Sequence, residues 1–109
     1  MYYTLVIIKI KPMSVNNCFQ GRRFKTPEYK KWREEMGWLL GGYKPVEPPY
    51  RIKVIFGMNS RQDIDAPIKG FLDSLQDACI ITNDRYIEEL HVFKKKVKKG
   101  EEFIEFFFL

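Results

Sequence analysis

Residues 50–58 read Tyr-Arg-Ile-Lys-Val-Ile-Phe-Gly-Met, the clearest strand pattern in the sequence. Its large apolar side chains occupy every second position, which predicts a β-strand with one buried face. After a polar connection, Pro67 begins a segment in which apolar residues recur at helical spacing. The apolar face of that helix consists of Ile68, Phe71, Leu72, Leu75 and Cys79. A buried strand followed by an amphipathic helix predicts an α+β fold in which helices cover a sheet.

A first strand and a first helix precede this core. Residues 2–11 are rich in β-branched and aromatic types and predict a strand that ends at Pro12. Residues 13–25 are polar and basic and predict a loop. Thr26-Pro27-Glu28 predicts a helix start. The threonine hydroxyl caps the first turn, and proline lacks the N–H that would be unpaired there. The negative charge of Glu28 interacts favourably with the positive end of the helix dipole. Apolar residues then recur at helical spacing up to a stop at Gly41-Gly42, and they are Tyr29, Trp32, Met36, Leu39 and Leu40.

The C-terminal part predicts two more strands. After a turn at Asn83-Asp84, residues 87–98 and 102–109 have strand composition and are joined at Lys99-Gly100-Glu101, which predicts a hairpin. The element order β-α-β-α-(β)-β-β predicts a mixed sheet with two helices packed on it. A chain of 109 residues has room for one such core and too little for two, so we expect a single domain over residues 1–109.

The composition excludes several classes of enzyme. The chain has one histidine, His91, and two cysteines, Cys18 and Cys79, which excludes most zinc enzymes, histidine-dependent nucleases and serine or cysteine triads. No apolar run of about 18 residues and no secretory signal pattern is present, so we expect a cytoplasmic protein with reduced thiols. The chemistry must therefore use carboxylates, hydroxyls, lysine or arginine.

The net charge of +5 is unevenly distributed. Residues 1–58 hold 11 Lys or Arg against four Glu, whereas residues 59–109 hold eight against ten acids. All five aspartates lie between positions 63 and 84, namely Asp63, Asp65, Asp73, Asp77 and Asp84. The positive charge predicts a polyanionic partner, and the grouped aspartates predict a carboxylate cluster with a different role.

Three of these aspartates are candidate metal ligands. In an extended segment Asp63 and Asp65 face the same side, and their repulsion would be relieved by a cation such as Mg²⁺. A helix from Pro67 to Ala78 rises about 18 Å, and an extended segment 79–84 returns a similar distance, which predicts that Asp84 comes back beside them. A nearby lysine, Lys69, is placed to reach a metal-bound phosphate, which together with the cation suits phosphodiester hydrolysis.

Each of these residues also has a structural alternative. In the structural alternative, Asp65 caps the second helix and Lys69 forms an ordinary i,i+4 ion pair with Asp73 on the helix surface. Asp84 is then a turn residue, and Asp77 is solvated surface in either interpretation.

The motifs, taken together, resemble the RusA family of Holliday junction resolvases, endodeoxyribonucleases common in bacterial prophages. They run in order along nearly the whole chain as Ser14-Val15-Asn16-Asn17-Cys18-Phe19, Gly21-Arg22-Arg23 through Trp32, Asp63-Ile64-Asp65-Ala66-Pro67-Ile68-Lys69, Asp73-Ser74-Leu75 and Asn83-Asp84-Arg85. The resemblance implies a metal held by Asp63, Asp65 and Asp84 with assistance from Lys69. It implies Mg²⁺ as the cofactor, with Mn²⁺ as the alternative.

The sequence departs from the family pattern at three positions. Ala66 replaces the Asn of the aspartate motif, which removes an amide able to orient a carboxylate. Asn83 replaces the first Asp of the later pair, and Cys79 replaces the Gly that usually follows the second helix. None of the three removes a predicted ligand.

Basic and aromatic residues are the candidate DNA contacts. Arg22, Arg23, Lys25, Lys94 and Lys96 would contact phosphates, which contributes affinity without sequence information. The resemblance adds Asn16 and Asn17, and Phe19 would stack on bases at a branch point. The alternatives are a solvated strand face for the lysines, whose side chains alternate between the two faces, and core packing for Phe19.

We therefore expect a Mg²⁺-dependent endonuclease that nicks Holliday junctions and related branched DNA in recombination and repair. A two-fold junction needs two incisions, which predicts a C₂ homodimer, and the aromatic tail at residues 103–109 would lie in the core or in the dimer interface. The rival hypotheses are a junction-binding protein that has lost activity and a metal-dependent enzyme acting on a small nucleotide.

Overall fold

The computed structural model describes residues 5–14, 19–20, 24–59 and 61–109, with the backbone alone for 19–20 and 24–25. A one-turn 3-10 helix, Asp84–Tyr86, leads into the fifth strand. The remaining elements are β1 (Val6–Ile8), β2 (Phe19–Gln20), β3 (Phe24–Lys25), α1 (Pro27–Leu40), β4 (Tyr50–Met58), α2 (Ile68–Asp77), β5 (Ile87–Lys96) and β6 (Phe103–Phe108). The main sheet has the order β1-β6-β4-β5, and β2 pairs with β3 separately. The α+β fold with a mixed sheet and two helices is as predicted.

The last two strands do not form the predicted hairpin. β5 pairs parallel with β4, whereas β6 pairs antiparallel with the other edge of β4 and with β1. The connection between them therefore passes over the end of β4, where the Val97 amide donates to the Met58 carbonyl at 3.1 Å. A short link usually makes a hairpin, but β4 buries one whole face in the core and takes the interior of the sheet, where both of its edges need backbone partners.

One face of the sheet and the inner faces of both helices form the core. β4 buries Tyr50, Ile52, Val54, Phe56 and Met58, each at most 3% exposed, as its alternation predicts. The aromatic tail contributes Ile104, Phe106 and Phe108 to the same core. For these three residues the core interpretation of the tail is correct, while the intervening residues face the side of the sheet that no helix covers.

Phe71 of α2 packs edge-to-face on the core rings. Its centroid lies 5.7 Å from that of Phe56 and 5.2 Å from that of Phe106. This joins α2 to the two central strands, and edge-to-face packing of this kind adds to the burial energy. In α1, by contrast, the predicted core residue Leu39 is 41% exposed, because the buried stripe passes through Met36 and Leu40 and leaves position 39 to one side.

The capping residues of α1 and α2 define the ends of both helices. The Tyr29 amide donates to the Thr26 hydroxyl at 3.1 Å, which confirms the predicted cap of α1. α2 begins at Ile68, one residue later than predicted. It ends at Asp77. Cys79, two residues later, is exposed and has a φ of 59°, so the prediction that Cys79 belongs to the apolar face is wrong. This residue occupies the left-handed position where a glycine is usual.

Side chains tie α1 to α2. The Tyr29 hydroxyl donates to Asp73 Oδ2 at 2.5 Å, and Arg33 holds both carboxylate oxygens of Asp77, with Nε 2.6 Å from Oδ2. That hydrogen bond raises the pKa of Arg33 above its ordinary value, so the guanidinium stays charged. Asp77 is therefore not the freely solvated residue that was predicted. Within the described ranges, no helix is long and apolar enough to span a membrane.

Candidate metal and nucleic-acid site

Asp63 and Asp65 lie on the connection between β4 and α2. The backbone there turns twice, because the Ala66 amide donates to the Asp63 carbonyl at 3.0 Å and the Ile68 amide donates to the Asp65 carbonyl at 3.2 Å. The prediction of an extended segment here is wrong. Alternation along a strand therefore gives no reason for the carboxylates of Asp63 and Asp65 to point in the same direction. Both residues are exposed at the N-terminal end of α2, while Ala66 between them and the helix is buried.

The five aspartates divide into two sets by their partners. Among the described residues, none donates a hydrogen bond to, or forms an ion pair with, the carboxylates of Asp63, Asp65 and Asp84. Asp73 and Asp77 are both engaged between the helices. Asp65 does not cap α2, since the capping residue is Pro67 and no described side chain bonds to the helix start. The three predicted ligands are thus the three carboxylates left without a structural partner.

Asp84 lies at the other end of the sheet. Ile87, three residues later, is in register with Tyr50 at the start of β4, whereas Asp63 follows Met58 at its end. A strand of nine residues spans about 26 Å. Over the described residues, no group of three or more acidic, histidine or cysteine side chains is placed to hold a metal. The prediction that Asp84 returns beside Asp63 and Asp65 is therefore wrong within one chain.

The path from α2 to β5 explains this separation. Ile80 and Ile81 enter the core, and the Thr82 amide donates to the Tyr50 hydroxyl at 3.0 Å. The segment therefore stays at the start of β4, where a parallel β5 has to begin. Asn83 caps the 3-10 turn by accepting from the Arg85 amide at 2.9 Å, a bond that an aspartate would also accept. Replacement of the family aspartate by Asn83 leaves this local structure intact.

Lys69 lies in the first turn of α2, at the end that carries Asp63 and Asp65. Its ammonium is 3.7 Å from Asp73 Oδ2, which is the i,i+4 pair of the structural alternative. The side chain is 48% exposed, so this pair is screened by solvent. Reaching a phosphate at the connection would require Lys69 to leave Asp73, whose other partner, the Tyr29 hydroxyl, remains.

Two lysines of β5 lie near the same connection. Lys94 and Lys96 are in register with Phe56 and Met58, so they lie on the same face of the sheet as the core. Lys95 points to the opposite face, as the predicted alternation requires. Lys94 Nζ donates to the Gln62 carbonyl at 3.0 Å. This contact places a positive charge beside Asp63, and sequence reasoning missed it because it depends on the register between β4 and β5.

The predicted basic loop is described only in part. β2 and β3 pair with Phe19 opposite Lys25, which forms a short antiparallel ladder, and the structure describes these two residues by their backbone alone. Asn16, Asn17, Arg22 and Arg23 lie outside the described residues, so their DNA contacts stay predictions.

Comparison with known proteins addresses the family. No protein-family model matches the chain. The crossover junction endodeoxyribonuclease RusA of Aquifex aeolicus (strain VF5) is 32% identical to it over 87 residues, which cover 75% of this chain and 68% of that relative. An identity of this size over most of both chains confirms the resemblance carried by the motifs. The chain belongs to the RusA family of crossover junction endodeoxyribonucleases.

Proposed function

We propose that this protein is a Mg²⁺-dependent endonuclease that resolves Holliday junctions and related branched DNA by paired symmetric nicks. The observation that carries the proposal is the division of the aspartates. Asp63, Asp65 and Asp84 are exposed and have no partner among the described residues, in a chain whose relative is a crossover junction endodeoxyribonuclease.

These three carboxylates fit a hard divalent cation. Their oxygens are the ligands that Mg²⁺ and Mn²⁺ prefer, and no described side chain competes for them. When bound, such a cation supplies an activated water and neutralises phosphate oxygens. Lys69 and Lys94 stand at the same connection as Asp63 and Asp65, where their charges would hold the phosphate backbone close to the carboxylates.

In this proposal the metal site takes its ligands from two chains. Asp63 and Asp65 lie past one end of β4 and Asp84 lies at the other end, so one protomer does not gather the three. In a two-fold homodimer each site takes Asp63 and Asp65 from one subunit and Asp84 from the other. Two equivalent sites then face the two equivalent strands of a four-way junction.

Cleavage of a synthetic four-way junction tests the activity. We expect paired nicks in Mg²⁺ that are abolished by Asp65→Asn and by Asp84→Asn. The matched control is Asp77→Asn, which removes an acid of the same region that is engaged by Arg33, and it should cleave nearly as well as the wild type. A wild-type protein that leaves junctions intact in both Mg²⁺ and Mn²⁺ would refute the proposal.

Mixing the two inactive variants tests the shared site. A mixed dimer of Asp65→Asn and Asp84→Asn subunits has one doubly altered site and one intact site. Random mixing should therefore restore about a quarter of the wild-type sites, each giving single nicks. If each site were built within one chain, every site in the mixture would lack a ligand and no activity would return.

The inactive-binder hypothesis rests on Ala66 and Asn83. It predicts tight, salt-sensitive junction binding without nicks, and no recovery in Ala66→Asn. The cap that Asn83 supplies to the 3-10 turn argues against it, because that departure preserves the position of Asp84. The small-nucleotide hypothesis predicts no preference for branched DNA over a duplex.

A further inference from the structure

A cleft opens at the end of the sheet that carries Asp84. Its volume is about 440 Å³, within the range of roughly 300–1,000 Å³ that is usual for small-molecule sites. Its lining residues are Pro48, Pro49, Arg85, Tyr86, Ile87 and Glu88. The two segments that form it lie side by side because β4 and β5 are parallel, with Tyr50 in register with Ile87. The cleft therefore adjoins one predicted metal ligand and lies far from the connection that holds Asp63.

The walls of the cleft combine apolar surface with a charged aromatic pair. Pro48, Pro49 and Ile87 supply the apolar surface, and Tyr86 is 43% exposed. The centre of the Arg85 guanidinium lies 5.0 Å from the centroid of the Tyr86 ring, and Nη2 donates to the Tyr86 hydroxyl at 3.1 Å. Heteroaromatic rings stack on aromatic and guanidinium planes, and a guanidinium also binds phosphate. The pair therefore suits a nucleotide, which carries both groups.

The backbone holds Arg85 and Tyr86 in place. Both belong to the one-turn 3-10 helix, in which the Asn83 side chain accepts from the Arg85 amide at 2.9 Å. The Tyr86 amide donates to the Asn83 carbonyl at 3.2 Å, and the Ile87 amide donates to the Asp84 carbonyl. The opposite wall is stiff as well, because each of its two prolines has a fixed φ. A site ordered in this way loses little conformational entropy when it binds a ligand.

We propose that the cleft holds one unpaired base of the branched DNA substrate, stacked on Tyr86, with a neighbouring phosphate held by Arg85. This inference rests on the proposed function and deepens it. Arg85 directly follows Asp84, so a nucleotide whose base occupies the cleft has its phosphates beside that carboxylate. A base inside a duplex is stacked on both faces and offers only its edges. The cleft therefore selects a base that the branch point has unstacked.

Glu88 is the acidic residue of the cleft, and its charge is offset. Its Oε1 lies 3.4 Å from Arg51 Nη2, and both side chains are about half exposed. The neighbouring guanidinium lowers the repulsion that this carboxylate exerts on a phosphate. A carboxylate accepts hydrogen bonds from the amino groups on base edges. Glu88 thus faces the edge of the bound base, while Arg85 takes the phosphate.

Two other exposed aromatic residues are poorer platforms for a base. Phe93 is 49% exposed, but the Lys53 ammonium lies 5.0 Å from the centroid of its ring and covers it. Trp38 is 83% exposed on α1, but Glu34 and Glu35 lie one turn before it on the same face of the helix. Their charges repel a phosphate backbone. Trp38 therefore serves as the matched control, an exposed aromatic residue that does not line the cleft.

Junction binding in EDTA tests the cleft. The probe is a fluorescent synthetic four-way junction, and anisotropy gives its affinity for the full chain. Tyr86→Ala should bind about tenfold more weakly, the size expected for the loss of one base stack. Tyr86→Phe, which keeps the ring, and Trp38→Ala should bind nearly as tightly as the wild type, and circular dichroism confirms that each variant is folded.

Three results of this experiment overturn the proposal. Unchanged affinity in Tyr86→Ala would assign the cleft to an occupant other than DNA. An equal loss in Trp38→Ala would mean that exposed aromatic residues act without regard to the cleft. A loss confined to Arg85→Gln would show a phosphate contact without a base.

Junctions that lack single bases identify the bound nucleotide. Each junction of the series carries an abasic site at the same position of two opposite strands near the crossover. At one position, removal of the base should weaken binding to the wild type by about tenfold and leave binding to Tyr86→Ala unchanged, because the same stack is lost only once. Additive losses at every position overturn the proposal. A large excess of a free deoxynucleoside monophosphate should not displace the junction, since displacement would assign the cleft to a free nucleotide.

These measurements separate the cleft from the proposed activity, because neither needs cleavage. If the wild type nicks junctions in Mg²⁺ while Tyr86→Ala binds them as tightly as the wild type, only the base cleft is refuted. If Tyr86 is coupled to one base but no nicks form in Mg²⁺ or Mn²⁺, only the endonuclease activity is refuted.

Discussion

Cys79 is held in the left-handed region at the end of α2, so replacing it with glycine should stabilise the fold. Its φ is 59°, and two hydrogen bonds fix this geometry. The Cys79 amide donates to the Gln76 carbonyl and the Ile80 amide donates to the Leu75 carbonyl, both at 3.0 Å. This bond pattern is the Schellman motif, and Ile80 and Leu75, which hold the positions of its usual apolar contact, are both buried.

The magnitude follows from two opposing terms. A residue with a Cβ pays about 1–2 kcal/mol in the left-handed region. Glycine loses about 0.5–1 kcal/mol more backbone entropy on folding. The Cys79→Gly variant should therefore gain roughly 0.5–1 kcal/mol, equivalent to a rise of about 2–6 °C in the melting temperature. The exposed thiol makes no described contact whose loss would offset this gain.

Urea unfolding at one fixed protein concentration measures the effect. The matched control is Cys79→Ala, which removes the thiol and keeps the Cβ, and it should show no gain. Equal stability of the glycine and alanine variants would refute the reasoning, because the difference between them isolates the backbone strain from the chemistry of the sulfur.

Three further predictions concern the core and the site. Tyr29→Phe keeps the buried ring but leaves Asp73 without its shortest donor, and urea unfolding should show a loss of about 1 kcal/mol. Gly57→Ala would place a Cβ 2.3 Å from Cδ1 of the Phe103 ring, which must move, and calorimetry should show a loss of about 1–2 kcal/mol. Mg²⁺ at about 100 times its dissociation constant should stabilise the wild type against unfolding by about 2.7 kcal/mol and should stabilise Asp65→Asn far less. A thermal scan of both proteins with and without Mg²⁺ measures the difference. An equal rise in melting temperature would contradict the role of Asp65 as a ligand.

Local patterns predicted the elements but not the order of the strands. The alternation in residues 50–58 identified the buried face of β4, and Thr26 identified the start of α1, because both signals act between near neighbours in sequence. The two neighbours of β4 were not predictable in the same way. β5 and β6 are joined by a short link that favours a hairpin locally, and only the requirement of β4 for partners on both edges excludes it.

The candidate site shows the same division between local and long-range information. Its residue types were evident from the motif spacing. Among the described residues the predicted ligands have no side-chain partner, whereas Asp73 and Asp77 are engaged. Which aspartates are engaged depends on the packing of α1 against α2, since their partners Tyr29 and Arg33 lie 44 residues away in sequence. No local pattern carries that information.

The separation of Asp84 from Asp63 and Asp65 follows from the strand–helix–strand unit itself. When two strands are parallel and adjacent, a residue just after the first and a residue just before the second lie at opposite ends of the sheet, whatever the helix length. Asp63 and Asp84 hold these positions on β4 and β5, so local adjustment does not unite them. In the proposed homodimer a symmetric partner would unite them, provided that the two sheets meet with their strands reversed. The mixing of Asp65→Asn with Asp84→Asn subunits therefore tests where the ligands come from as well as whether they are needed. Returned activity would mean that the ligand set spans two chains.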